Sequence, residues 1–152
     1  MNIIHGSKVV LALPVLLVGC VRNQVGSARN PGIYEAKATA SAESALSAVS
    51  TVQLVAQAAS DDKLFGTFAS VAVDQQEDAI TEIAQTFRSI QPPDDESIAV
   101  RDDLGALLDA ARDHIAAVRI AVRRGDLAGA GDVAAPLEAD AARLEEFAEA
   151  HG

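Results

Sequence analysis

A single cysteine, three histidines and several paired carboxylates are the side chains here that could do chemistry. Cys20 is the only thiol, so no disulfide can form within the chain, and its chemistry is that of a lone nucleophile open to modification. His114 is the histidine set inside a regular apolar pattern, next to Asp113 and one position before Ile115. A metal centre on a helical scaffold would need further ligands at helical spacing, and no Glu-x-x-His pair accompanies His114, while His151 stands apart. His114 is therefore not read as a metal or haem ligand, and its removal is expected to cost little. Asp61-Asp62, Asp94-Asp95-Glu96 and Asp102-Asp103 lack the glycine-centred loop of a calcium site and are read as helix caps and solvated charge. No G-x-S-x-G, phosphate loop or Cys-His pair with a supporting acid is present, so neither catalysis nor a cofactor is expected. Arg124-Gly125-Asp126 spells an adhesion tripeptide, but a helix stop and the cap of the next helix are both needed at that point, and a turn is the reading adopted.

Cys20 draws its meaning from what precedes it. Residues 1–19 read as an export signal: a polar start with His5 and Lys8, an apolar stretch over 9–18 containing Pro14, and the small Gly19. The stretch is about half the roughly 20 residues a spanning helix needs. Leu17-Val18-Gly19-Cys20 resembles the lipobox of bacterial lipoproteins. The resemblance implies a diacylglycerol thioether, with palmitate-like chains, on the Cys20 sulfur and cleavage between Gly19 and Cys20. It also implies a mature chain held on the extracytoplasmic face of the cell membrane. Two acyl chains hold a protein stably where one does so only marginally.

The formal charge of −10 and the pI near 4.6 argue against nucleic acid, since such a chain repels phosphate backbones. An acidic body also gains nothing from an anionic membrane surface, so the membrane is expected as a partner only through the lipid. Hydrophobic residues reach 49 % and aromatics only 3 %, with alanine prominent, which favours closely packed helices over β-branched strands.

After a polar, glycine-containing tether over 20–32, residues 33–152 divide into four helical segments. The first, about 34–59, repeats Leu46, Val49, Val52 and Ala56 at helical steps, and Ser60-Asp61-Asp62 breaks it and is expected to cap the next. The second carries Phe65, Phe68, Val73, Ile80, Ile83 and Phe87, and with most of the phenylalanines it is expected to be the main core donor. "QPPDDES" then stops one helix and starts another. The third has a stripe of Leu104, Leu107, Leu108, Ala111, Ile115, Val118 and Val122, with charges expected to pair along its opposite face. The last, with Leu127, Ala130, Ala134, Leu137, Ala141, Leu144 and Ala148, should kink or truly begin at Pro136. Four amphipathic segments on short connections predict an all-α, antiparallel up-and-down four-helix bundle.

"ALSAVSTVQL", "KLFGTFASV", "TFRSIQPPD" and "RIAVRRGDLA" resemble a group of small helical proteins and lipoproteins of actinobacteria, over about 45–147. That resemblance implies a helical body at the cell surface and brings no activity with it. The expected function is thus a membrane-anchored envelope lipoprotein whose bundle is a non-catalytic interaction or accessory module, with an unidentified envelope protein as partner. The rival expectation is a small-ligand or metal carrier using the bundle interior.

Overall fold

A computed structural model describes residues 30–152, so Gly19, Cys20, the leader and most of the tether lie outside the described residues. The described residues are all helical: α1 (Pro31–Ser60), α2 (Gly66–Ser89), α3 (Asp95–Arg123), the short α4 (Ala130–Ala134) and α5 (Pro136–His151). Four long helices pack as a bundle around one apolar core. None of the described helices is long and apolar enough to cross a membrane.

Each boundary has a local cause. α1 starts inside the stretch read as tether, because the Asn30 side chain accepts a hydrogen bond from the Ile33 amide at 2.9 Å and Pro31 is preset for the first turn. Asp61 and Asp62 close α1 instead of capping α2. The Asp61 amide donates back to the Gln57 carbonyl, and Asp62 takes a left-handed φ of 56°. α2 begins at Gly66 with no side-chain cap. Asp94 caps α3 by accepting from the Ser97 amide at 2.8 Å, and Asp95 and Glu96 sit in its positive first turn. Gly125, at φ 79°, ends α3. Pro136 marks the true start of α5, two residues past the end of α4.

α1 and α3, not α2 as the phenylalanines suggested, supply most of the buried residues. α1 packs against all four other helices. Its buried residues, among them Tyr34, Ala38, Ala42, Ala45, Val49, Val52 and Ala56, outnumber those of α2. Small side chains explain this: an alanine-rich helix lets neighbours approach on several sides. Phe87 is buried against the Tyr34 ring at 5.7 Å between centroids. Phe65 and Phe68, by contrast, are 86 % and 62 % exposed. Leu104, Leu108, Ile115 and Val118 of the α3 stripe are fully buried.

Charges tie α2 to α3 across the helix pair as well as pairing along α3, where Arg101 meets Asp102 and Arg112 meets Asp109 and Asp113. Arg88 meets Asp109 at 2.6 Å, Arg123 meets Asp74 at 3.0 Å, and Arg119 pairs with Glu77. The Arg88 guanidinium holds the Asp109 carboxyl below its usual range, and the Ser97 amide does the same for Asp94. Depressed folded values mean stability that is fully present above the ordinary carboxylate range, near pH 4, and lost as pH falls through the folded values. The melting temperature of the described domain should accordingly decline below about pH 4. The Asp94→Asn, Asp109→Asn double variant should show a shallower acid decline by circular dichroism, and an unchanged one would remove these two groups as its source.

Two close approaches lock the ends of the bundle. The Gly131 amide donates to Ser60 Oγ at 2.8 Å, and a side chain at Gly131 would strike that oxygen at 2.9 Å. Thr39 Oγ1 donates to the His151 carbonyl at 2.9 Å.

Candidate functional site

One histidine and one buried carboxylate meet on the α3/α5 contact. α5 presents its apolar seam through Leu137 and Leu144, and Asp140 lies between them at the same helical spacing, so its carboxylate enters the core and is only 2 % exposed. α3 brings His114 opposite, beside the buried Ile115. The His114 Nδ1 lies 2.5 Å from Asp140 Oδ2, and the His114 side chain is 37 % exposed. Arg143, one turn along α5, places its guanidinium 3.9 Å from the other carboxylate oxygen.

Burying a carboxylate is costly unless it is paired and hydrogen-bonded, and His114 is the close partner that offsets this cost. The contact with Asp140 stands against the expectation that losing His114 costs little. It bridges helices, and Asp140 was missed. The signal was present in the spacing, since Asp140 stands three residues after Leu137 and four before Leu144, where an apolar side chain belongs.

With Nδ1 committed to the carboxylate, Nε2 is the nitrogen left to take a proton or a ligand. Catalysis or metal binding would need more groups around it. Among the described residues, no three His, Cys, Asp or Glu side chains gather where they could hold a metal ion. His151 is elsewhere on α5, stacked on the Phe147 ring at 4.2 Å, with Nδ1 2.8 Å from the Phe147 carbonyl oxygen. Arg124-Gly125-Asp126 forms the turn after α3, where Asp126 Oδ1 accepts from the Gly129 amide at 3.0 Å. Asp61 pairs with Lys63 at 3.0 Å and Asp102 with Arg101 at 3.1 Å, so these acidic residues are engaged in local contacts. Gly19 and Cys20 lie outside the described residues.

Two surface features stand apart from the His114–Asp140 pair. At the α1–α2 corner, Phe65, Phe68 and Val71 are exposed at three-residue intervals. Near the start of α1, a groove of about 490 Å³ runs between α1 and α2, lined by Ile33, Ala36, Ala40, Ile83 and Ile90 among others. No protein-family model, curated protein or solved structure matches the chain.

Proposed function

We propose that the chain is a cell-envelope lipoprotein held to the membrane through lipid on Cys20, and that its helical body is a non-catalytic interaction module. The observation that carries this reading is the placement of the sole cysteine directly behind Leu17-Val18-Gly19 and the apolar run over 9–18. A thiol is nucleophilic enough to be alkylated, and the small Gly19 gives a peptidase access to the bond between it and Cys20.

The body is an antiparallel up-and-down four-helix bundle in this reading. Three pairings support that topology: Thr39 near the start of α1 with His151 at the end of α5, Arg88 late in α2 with Asp109 in α3, and Arg123 at the end of α3 with Asp74 early in α2. α1, at 30 residues, is about 45 Å long. The exposed Phe65, Phe68 and Val71 follow its far end, away from where the anchor joins. An apolar corner held that far from the lipid suits contact with another envelope protein.

The test is the intact mass of protein extracted from membranes of an expressing bacterium, beside Cys20→Ser. A chain beginning at Cys20 and carrying a diacylglyceryl group, absent from Cys20→Ser, is the expected result. A cleaved chain without lipid, or one retaining Met1, would overturn the anchor.

A further inference from the structure

The groove between the beginning of α1 and the end of α2 has walls suited to hydrocarbon. Ile33, Ile83 and Ile90 supply its larger side chains, and Ala36 and Ala40 leave the floor open. Lys37, Thr86 and two serines also line it, and the serine hydroxyls face their own helix. Ser41 Oγ donates to the Lys37 carbonyl at 2.9 Å and Ser44 Oγ to the Ala40 carbonyl at 2.8 Å. A peptide laid in such a trough would find polar groups only at Lys37 and Thr86 to replace the water around its amides, whereas an alkyl chain asks for no hydrogen bonds and can lie along the isoleucines and alanines. The volume falls in the range of small-ligand clefts.

The place where the described chain begins says which alkyl chain is near. The described residues begin at Asn30, and Gly32 and Ile33, just after it, are part of the lining. Ten residues separate Cys20 from Asn30, a reach of at most about 36 Å. We propose that this groove seats one of the acyl chains carried on Cys20. The proposal rests on the lipoprotein reading and deepens it. A lipid with one chain in the protein and one in the bilayer holds the membrane only marginally, so the groove makes the anchor reversible.

The experiment uses the full chain, acylated in the expressing bacterium and checked by intact mass, mixed with phosphatidylcholine vesicles and separated by flotation. Ala36 and Ala40 are exposed, so Ala40→Trp fills the groove and Ala36→Glu charges it without entering the core. Circular dichroism confirms that both remain helical. Each variant is expected to float with vesicles several-fold more than the acylated native chain, because both acyl chains are then free for the bilayer. Cys20→Ser combined with Ala40→Trp should stay unbound, which excludes insertion by the tryptophan itself. Equal flotation of acylated native and variant chains would overturn the groove as a lipid seat while leaving the anchor standing. A native chain without lipid would overturn the anchor, and the occupant with it. Dimerisation of Cys20→Ser that Ala40→Trp abolishes would assign the groove to a second copy instead.

Discussion

Leu108→Asp is expected to unfold the bundle. Leu108 has no exposed surface and sits within the α3 stripe among Leu104, Ala111 and Ile115. Removing its side chain alone costs about 2–5 kcal/mol, and the carboxylate put in its place has no cation to meet. Domains of this size hold net stabilities of about 5–15 kcal/mol, so the two losses together consume most or all of it. Far-UV circular dichroism and a urea titration should show a largely unfolded chain at 25 °C. Ala106→Asp, on the exposed side of the same helix, controls for the low helix propensity of aspartate and should melt cooperatively. A folded Leu108→Asp with a near-native transition would mean that α3 turns another face to the core.

The second large effect belongs to the α3/α5 pair. His114→Ala leaves the Asp140 carboxylate buried, with Arg143 at 3.9 Å as the remaining cation. Breaking a fully buried pair costs about 3–5 kcal/mol. His114 is 37 % exposed, so water can follow into the vacated space and a loss of about 2 kcal/mol is the discounted expectation. That corresponds to a fall in melting temperature of roughly 5–10 °C. His114→Leu with Asp140→Leu should recover most of the loss, because the apolar replacement carries no desolvation cost. A double-mutant cycle checks this, and a coupling near zero would mean the pair does not form in solution.

The sequence disclosed the features of this fold that are local. Pro92, Pro93 and Asp94 mark the stop and cap between α2 and α3, Gly125 ends α3, and Pro136 starts α5, because breakers and caps act within a few residues of themselves. Burial was less legible, since it depends on what lies opposite. Phe65 and Phe68 share residue type with Phe87, yet only Phe87 faces Tyr34 across the α1/α2 contact. Hydrophobicity alone could not separate them. The centrality of α1 was hidden for a related reason: apolar and small residues lie on several of its sides, so no single stripe announces a core helix. His114–Asp140 spans 26 residues, and its only sequence trace is a charged residue standing in an apolar register. The charges on α3 were visible, but that Arg119 and Arg123 reach across to α2 depended on the packing of the two helices.

The Thr39–His151 contact joins residues 112 positions apart, and the helix at its early end packs against every other helix. Such a chain must close its longest loop before its central helix is fully covered. During synthesis the first helix emerges with its apolar sides bare and waits for the last. Completion is therefore late and collective, and a chain cut short before α5 leaves α1 without one of the helices packed against it. The order in which the helices are made thus runs against the order in which they are needed, so an incomplete chain is held away from its native state until its end arrives.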